Sequence, residues 1–186
     1  MKRLIIIFAV LLATTSMMAD EFKIGKLTFE IVTPTTVELI GADEDIRNVD
    51  LSEKIDYKGN SYTLTYIGEF AFSGCKSLKS LTIPNSVTSI GEHAFSGCKS
   101  LKSLTIPNSV TSIGYVAFDG CKSLTSVTIP NSVTSIAEGA FWGCKSLKTM
   151  LFDGTTEQWK AIKKDKHYKR HTRAVRVKCN DGKVRL

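Results

Sequence analysis

Apolar residues in the middle of the chain recur at an interval of 23 positions, far longer than the period of a helix or a strand. A fixed period of about 20–50 residues indicates a solenoid, in which each copy forms one coil of a continuous stack. The positions that keep the interval are Cys75, Cys98, Cys121 and Cys144, Phe72, Phe95, Phe118 and Phe141, Leu78, Leu101, Leu124 and Leu147, and Ile67, Ile90, Ile113 and Ile136.

Within one copy, the spacing of apolar positions predicts the path of the chain. Leu78, Leu81 and Ile83 form the pattern Leu-x-x-Leu-x-Ile, which places apolar side chains at alternate positions of a short strand. A proline such as Pro84 ends that strand, because proline cannot donate to a strand ladder. Val-Thr-Ser-Ile then predicts a second short strand. Ala-Phe-x-Gly-Cys predicts a single helical turn, ended by a glycine such as Gly97.

One coil alone cannot shield its apolar residues on both sides. Stacked coils bury these residues against their neighbours and share one core, so stability belongs to the array rather than to the single copy. The open ends of such an array expose apolar surface and unpaired strand edges, and we therefore expect a cap at each end.

The repeated sequence Leu-x-x-Leu-x-Ile-Pro-x-Ser-Val-x-x-Ile-Gly-x-x-Ala-Phe-x-x-Cys resembles the BspA-like leucine-rich repeat of bacterial surface proteins. Ser86, Ser109 and Ser132 stand where commoner leucine-rich repeats carry an asparagine ladder, a variation typical of this subclass. The resemblance implies a mainly β, right-handed stack of coils with short strands and single helical turns. It also implies a role in binding host proteins or other cells rather than in catalysis.

The chain is expected to divide into four parts. Residues 1–19 are interpreted as a signal peptide, 20–48 as an N-terminal β-hairpin cap, 49–150 as the repeats, and 151–186 as a small α/β C-terminal cap with a basic segment. The motif Gly-Thr-x-x-Gln-Trp-x-x-Ile in the last part resembles the closing segment of the same family.

Specific residues are expected to build the two caps. Ile24, Phe29 and Ile31 are predicted to face one side of the N-terminal hairpin. In the C-terminal cap, Thr156 is the predicted N-cap of a short helix, and Trp159 on that helix is predicted to pack over the last coil.

The first residues have the composition of an export signal. Lys2 and Arg3 precede the apolar run 4–13, which is too short to span a bilayer, and Ala19 offers a small residue for cleavage. The sequence therefore predicts an exported protein that is secreted, periplasmic or held at the cell surface, with no membrane span in the mature chain, and the family resemblance implies a bacterial source. An uncleaved N-terminal anchor is the alternative.

The cysteines are predicted to be buried apolar side chains rather than disulfides. The four periodic cysteines point the same way on neighbouring coils, an orientation that does not favour a bridge. Cys179 is expected to pack in the C-terminal cap. A zinc site is the weaker alternative, because the sequence has no Cys-x-x-Cys and its three histidines, His93, His167 and His171, follow no ligand spacing.

The sequence shows no catalytic constellation. It has no Gly-x-Ser-x-Gly, no His-Glu-x-x-His and no glycine loop of the phosphate-binding kind, although Gly-Cys-Lys-Ser recurs in every coil. We therefore predict no enzymatic activity, no catalytic residue, no metal site and no cofactor. Nucleic acid is not an expected partner either, because that role conflicts with export.

Function is instead expected on the outward columns that stacking creates, with a protein or a glycan as the ligand of a monomeric chain. Threonine also suits strands, and a lysine column also serves as a solvated edge, so both columns have structural explanations. The candidate binding surface comprises Lys76, Lys79, Ser80, Thr82, Lys99, Lys102, Ser103, Thr105, Lys122, Ser126, Thr128, Lys145 and Lys148.

The charge of the chain suggests a second candidate surface. The formal net charge is +7 at pH 7, and lysine and arginine concentrate in residues 150–186. A polyanion-binding patch is one interpretation and a solvated cap loop is the other. A structural envelope or periplasmic spacer without a specific ligand is a further alternative for the whole chain. The candidate polyanion patch comprises Lys163, Lys164, Lys166, Lys169, Arg170 and Arg173.

Overall fold

The computed structural model describes residues 20–169 and 175–185 as a stack of coils with a β cap before it and a mixed cap after it. Successive coils pair through parallel strands, and the strands assemble into a nine-stranded, a five-stranded and a two-stranded sheet. The core lies inside the coils and is formed by apolar side chains. The predicted mainly β solenoid is confirmed.

The described part of the chain starts with three antiparallel strands rather than the predicted single hairpin. They are β1 (Glu21–Ile24), β2 (Leu27–Thr33) and β3 (Thr36–Ala42). Phe29 is buried as predicted, and Ile31 packs against the core from a partly buried position. The prediction for Ile24 is wrong: it is 43% exposed, because it ends β1 beside a turn, and Phe22 takes the core position of that strand.

The coils that follow contribute short strands at regular places. These are β4 (Asn48–Asp50), β5 (Lys54–Tyr57), β6 (Asn60–Ile67), β7 (Ser80–Thr82), β8 (Ser89–Ile90), β9 (Ser103–Thr105), β10 (Ser112–Ile113), β11 (Ser126–Pro130), β12 (Ser135–Ile136) and β13 (Thr149–Asp153). In the parallel pairing of β8, β10 and β12, Ser112 lies opposite both Ser89 and Ser135. Residues one repeat apart are therefore direct neighbours in the sheet.

The segment that closes each coil is a run of turns and not the predicted single helical turn. The N–H of Phe72 donates to the carbonyl of Ala94 at 2.7 Å, and the N–H of Gly74 donates to the carbonyl of Ser96 at 2.8 Å. A helix would use these N–H groups within its own coil. Here they bond to the next coil instead, and they form a third backbone ladder along the stack.

The interior of the repeats is a column of stacked aromatic rings. Phe72, Phe95, Phe118 and Phe141 are fully buried. The ring centroids of successive members lie 5.3, 5.2 and 5.3 Å apart, and the ring planes are nearly parallel. Because each ring belongs to a different coil, this column ties the coils together through side chains.

Serine replaces the asparagine ladder of commoner leucine-rich repeats. The hydroxyl of Ser132 donates to the carbonyl of Val110 at 2.7 Å, and the hydroxyl of Ser109 donates to the carbonyl of Val87. Each bond reaches the preceding coil and satisfies a carbonyl at the turn. Ser86, at the first of these positions, has a buried hydroxyl with no partner in the described part of the chain.

The C-terminal cap covers the last coil with one helix and three strands. Its elements are α1 (Thr156–Ala161), β14 (Lys163–Lys164), β15 (Arg176–Cys179) and β16 (Gly182–Arg185). Thr155, not Thr156 as predicted, is the N-cap of α1, because its side chain accepts from the Gln158 N–H while the Gln158 side chain accepts from the Thr155 N–H. Trp159 is buried as predicted and packs edge-on against Phe152 at 5.3 Å.

Candidate functional site

The predicted hydroxyl columns lie on the outward face of the strands β7, β9 and β11. Ser103 and Thr105 of β9 lie opposite Ser126 and Thr128 of β11, with a buried leucine or valine between them on each strand. Alternation along a strand explains this, since successive side chains point to opposite faces. The outward columns are therefore hydroxyl-bearing across several coils.

The strand ladder is interrupted within this face. β7 pairs with β4 in the two-stranded sheet, whereas β9 is the edge strand of the five-stranded sheet. An open groove of about 350 Å³ lies between β7 and β9. We name it the hydroxyl groove. Its polar lining residues are Ser80, Thr82, Asn85, Ser103 and Thr105.

Hydroxyl and amide groups in an open groove donate and accept hydrogen bonds without carrying charge. In the hydroxyl groove they come from two coils, and all five polar lining residues except Asn85 belong to the predicted binding surface. Leu81 and Leu104 form part of the groove floor. Polar groups over an apolar floor can bind a sugar or a peptide by hydrogen bonds and contact, and no titratable side chain in this lining could activate a hydroxyl as a general base.

The predicted lysine columns border this face and are exposed to solvent. The exposed lysines of the candidate surface are Lys76, Lys79, Lys99, Lys102, Lys122, Lys145 and Lys148. Lys79 and Lys102 directly precede the strands that line the hydroxyl groove. Backbone bonds join this position along the stack, with the Thr125 N–H donating to the carbonyl of Lys102 at 2.9 Å and the Lys148 N–H to the carbonyl of Thr125 at 3.0 Å.

Sequence reasoning missed one basic residue that belongs with these lysines. The N–H of Lys79 donates to the carbonyl of Arg47 at 2.6 Å, which places the exposed Arg47 next to Lys79 in the stack. Arg47 lies in a degenerate coil that does not keep the 23-residue interval. No periodic signal marks it, and only the pairing of β4 with β7 shows its position.

The structure describes four of the six residues of the predicted polyanion patch, and they differ in exposure. Lys163 and Lys166 are exposed and Lys169 is partly buried, whereas Arg170 and Arg173 lie outside the described residues. The remaining member, Lys164, is partly buried and lines a cavity beside β12 and β14.

The ammonium group of Lys164 makes its contacts within the C-terminal cap. Its ammonium group donates to the carbonyl of Ile162 at 2.8 Å and to the carbonyl of Trp159, and it lies 4.9 Å from the centroid of the Trp159 ring. Partial burial lowers the pKa of this ammonium group. These contacts hold the helix against β14 and leave Lys164 poorly placed to meet an external anion.

A cavity of about 600 Å³ between β12 and β14 brings opposite charges together. Its lining includes Lys163 and Lys166 beside the carboxylates of Glu138 and Asp165. Mixed charge weakens the attraction of this region for a polyanion, since each carboxylate offsets a neighbouring ammonium group. The cap surface is therefore less positive than the run of basic residues in the sequence indicates.

Three side chains beside this cavity have the chemistry of metal ligands. The Nδ1 atom of His167 lies 3.7 Å from a carboxylate oxygen of Glu138 and 3.7 Å from one of Asp165. The Asp165 carboxylate also accepts a hydrogen bond from the backbone N–H of His167 at 2.7 Å. Among the residues that the structure describes, these three form the cluster that is able to hold a metal ion. They are partly exposed, and the same distances suit an ion-pair network around a protonated histidine.

The periodic cysteines are structural and not nucleophilic. Cys75, Cys98, Cys121 and Cys144 are fully buried and free of disulfides, as predicted. The pKa of the Cys98 and Cys144 thiols is raised to about 12, mainly by burial. Burial is also the main reason that the pKa of the Cys121 thiol lies well above its usual range. Thiols of this kind stay protonated at neutral pH, whereas catalysis requires the thiolate.

Across residues 20–169 and 175–185, no helix has the length and apolar character needed to cross a membrane.

The sequence and the structure were compared with known proteins. The family model of the BspA type leucine-rich repeat region matches residues 45–166 in 6 copies. The comparison with curated proteins gave no match. Among solved structures, a leucine-rich repeat protein from Bacteroides capillosus is 33% identical with a TM-score of 0.65, over 72% of this chain and 99% of that chain.

Two further solved structures share the fold. A leucine-rich repeat protein from T. pallidum is 25% identical with a TM-score of 0.56, over 71% of each chain. A leucine-rich cell surface protein from Faecalibacterium prausnitzii is 22% identical with a TM-score of 0.58, over 89% of this chain and 56% of that chain. Leucine-rich repeat solenoids are typically non-enzymatic. Because the family model matches more than half of it, the chain belongs to the BspA-type leucine-rich repeat family.

Proposed function

We propose that this protein is a non-enzymatic binding module that recognises a glycan or a protein through the outward face of its repeats. The observation that carries the proposal is the hydroxyl groove, where the strand ladder opens between β7 and β9 and five neutral polar side chains line the gap. Family membership supports a binding role in general terms. It does not name the ligand.

The residues around the groove favour a ligand with hydroxyl or acidic groups. Hydroxyl and amide side chains exchange hydrogen bonds with sugar hydroxyls, and the neighbouring Lys79, Lys102 and Arg47 attract carboxylate or sulfate groups. Neutral groups at the centre and charges at the border are the usual arrangement of a site in which hydrogen bonds give specificity and charge gives attraction.

We also propose that the protein is exported and acts outside the cytoplasm. The support is the sequence of residues 1–19, which lies outside the described residues, together with the surface or secreted location typical of the family. Adhesion at a bacterial surface is the role that combines export with a binding face.

The test is a screen of the labelled mature protein on arrays of glycans and of extracellular matrix proteins, followed by point variants. Thr105→Val keeps the shape of the side chain and removes its hydroxyl. Thr111→Val makes the same change in the same coil on the opposite sheet, and it serves as the matched control. We expect Thr105→Val to weaken binding about tenfold, as for one lost hydrogen bond to a ligand, and Thr111→Val to leave it unchanged.

The charge at the border is tested separately. Lys102→Gln is expected to weaken binding mainly by slowing association, and it should also reduce the salt dependence of binding. Lys160→Gln on α1 is expected to change neither the association rate nor the salt dependence. Absence of salt-resistant binding on every array would favour the spacer role instead. Binding that survives all groove variants but is lost on neutralising Lys163 and Lys166 would assign function to the basic C-terminal segment.

A further inference from the structure

A second surface, of opposite charge, follows the strands β6, β8, β10 and β12. The turns after β6 and β8 each carry an acidic and an aromatic side chain, the turn after β10 carries a tyrosine, and the turn after β12 carries a glutamate. We name this surface the acidic–aromatic edge, and it comprises Glu69, Phe70, Glu92, His93, Tyr115 and Glu138. Phe70 is 54% exposed and Tyr115 is 38% exposed, which is unusual for large apolar side chains in a chain that buries most of its aromatic residues.

The backbone displays these side chains rigidly. Phe70 and His93 occupy the same repeat position with φ angles of 59° and 53°, in the left-handed region that non-glycine residues rarely adopt. The N–H of Phe70 donates to the carbonyl of Glu92, and the N–H of His93 donates to the carbonyl of Tyr115, each at 3.0 Å. Each of these edge turns is therefore bonded to the next, and the backbone that carries the side chains is held in place along the stack.

The aromatic rings form a continuous strip over three coils. The rings of Phe70 and His93 are stacked with centroids 4.7 Å apart, and the ring of Tyr115 meets His93 edge-on at 5.8 Å. This strip is the exposed counterpart of the buried phenylalanine column. Phe70 and Tyr115 belong to this strip and not to the buried core of the solenoid.

Carboxylates surround the strip. Burial raises the pKa of the Tyr66 hydroxyl, and the charges of Glu69, Glu38 and Glu92 raise it further. The pKa of the Glu38 carboxyl is raised as well, mainly by burial and to a smaller extent by the charges of Glu30 and Glu69. Among the described residues, neither Glu69 nor Glu92 has an ion-pair partner. Negative charge therefore accumulates around Glu69 and Glu92, whereas Glu138 at the far end of the edge lies beside Lys163 and Lys166.

We propose that the acidic–aromatic edge docks an arginine-rich segment of a protein partner. A guanidinium group stacks on an exposed aromatic ring through its planar face and pairs with a carboxylate through its N–H groups, so one arginine satisfies both features of the edge. The chain as a whole carries a formal charge of +7, which opposes any general attraction of a basic segment. Binding must then come from this local edge.

The spacing of the edge suits an extended segment. Neighbouring coils lie roughly 4.8 Å apart in the sheet direction, and alternate side chains of an extended peptide are roughly 7 Å apart. Two arginines at alternate positions therefore reach Glu69 and Glu92 with small adjustments of their flexible stems. This proposal concerns a different surface from the hydroxyl groove, and either proposal can fail without the other.

The test uses a fluorescent synthetic peptide of alternating arginine and serine, titrated against the protein at physiological salt. The matched peptide carries citrulline in place of arginine, which keeps the shape of the side chain and removes the charge. The double variant Glu69→Gln and Glu92→Gln removes two edge charges, and Glu53→Gln with Glu157→Gln removes two exposed charges elsewhere. Phe70→Asn removes the ring with a residue that tolerates positive φ.

We expect the double variant at the edge to weaken peptide binding at least about tenfold, the value for loss of a close charge pair. Phe70→Asn is expected to weaken it about threefold to fivefold, and Glu53→Gln with Glu157→Gln to change it less than twofold. Circular dichroism and the melting temperature establish that each variant folds.

Equal affinity of the wild type and the edge variant would overturn the proposal, and so would equal affinity for the citrulline peptide. Salt-sensitive self-association that disappears in the same variant would also overturn it, because the occupant would then be the lysine columns of a second copy.

Discussion

The thiol of Cys121 donates a hydrogen bond to the carbonyl oxygen of Phe95, 3.2 Å away in the preceding coil. Cys98 and Cys144 make the same bond to Phe72 and Phe118, each at 3.1 Å. One small side chain thus fills space beside the aromatic column and gives a carbonyl of the preceding coil a second hydrogen bond, beside the one that this carbonyl accepts from a backbone N–H of its own coil. This pair of roles explains why cysteine recurs at a position where no disulfide forms.

Replacing Cys121 with alanine should lower the free energy of unfolding by about 1–2 kcal/mol, since it removes a buried side-chain atom and one of the two hydrogen bonds that the Phe95 carbonyl accepts. Cys179→Ala, in the partly exposed cap position, should cost about 0.5 kcal/mol or less. Urea denaturation measures both values. Equal losses would show that the thiol bond to the preceding coil contributes nothing.

Alkylation of the native protein should modify Cys179 well before the four periodic cysteines. Burial raises the pKa of the Cys98 and Cys144 thiols to about 12, so they stay protonated at neutral pH. Burial also keeps the reagent from reaching the sulfur atoms. Mass spectrometry after timed exposure to iodoacetamide measures the order. All five should react at similar rates in denaturant, and rapid modification of Cys98 in the native state would contradict the packing described above.

Shortening one ring of the aromatic column should destabilise the whole stack. Phe95→Leu is expected to lower the free energy of unfolding by about 2 kcal/mol, because it loses buried apolar area and two stacked contacts. Phe70→Leu makes the same chemical change on an exposed ring and should alter it by about 0.5 kcal/mol or less. Urea denaturation of both variants measures the difference.

Glu38→Gln should raise the melting temperature at pH 7. The pKa of Glu38 is raised by burial and then by Glu30 and Glu69, so the folded state favours the protonated form and the ionised form destabilises it at neutral pH. The gain should shrink as the pH falls through the raised pKa, and it should vanish below about pH 4, where the side chain is neutral in both states. Thermal melts at pH 7 and pH 4 measure it.

The control for this pH dependence is Glu53→Gln, at an exposed bend away from the acidic residues around Glu38. It should not reproduce the gain at pH 7. A melting temperature of Glu38→Gln that stays below the wild-type value at pH 7 would contradict the assigned direction of the pKa shift.

The N-cap of α1 provides a test of the C-terminal cap. Thr155→Ala should lower the free energy of unfolding by about 1 kcal/mol, because it leaves the Gln158 N–H without its side-chain acceptor. Thr155→Ser keeps that acceptor and should be nearly neutral. Urea denaturation distinguishes the two, and an equal loss in both variants would assign the effect to the methyl group of threonine instead.

Much of the fold was predictable because the period carries the information. Leu104 and Val127 lie opposite each other on β9 and β11, and the interval alone puts them there, since residues at the same place in successive coils become neighbours. The helical turn was not predicted correctly, because Ala-Phe-x-Gly-Cys has the composition of a helix end. Alternate N–H groups of this segment, those of Phe70, Phe72 and Gly74 in the first full copy, bond to the next coil, and a single copy contains no trace of that competition.

The candidate sites were predictable only where they are periodic. The hydroxyl and lysine columns repeat with the coils and were found from the sequence. Arg47 and the cluster of Glu138, Asp165 and His167 lie partly or wholly in irregular segments. Pairing of β12 with β14 brings that cluster together, and the sequence distance between its members gives no sign of it.

The sequence by itself determined the coil length, the inward set of phenylalanine, leucine, isoleucine and cysteine, and the outward columns, because a strict period forces equivalent residues into the same environment. The tertiary structure alone decided where the strand ladder opens between β7 and β9, how the two caps join the stack, and how the exposed rings of Phe70, His93 and Tyr115 stack. These features depend on how the non-repeating segments and the coils next to them pack, and an interval in the sequence carries no information about that packing.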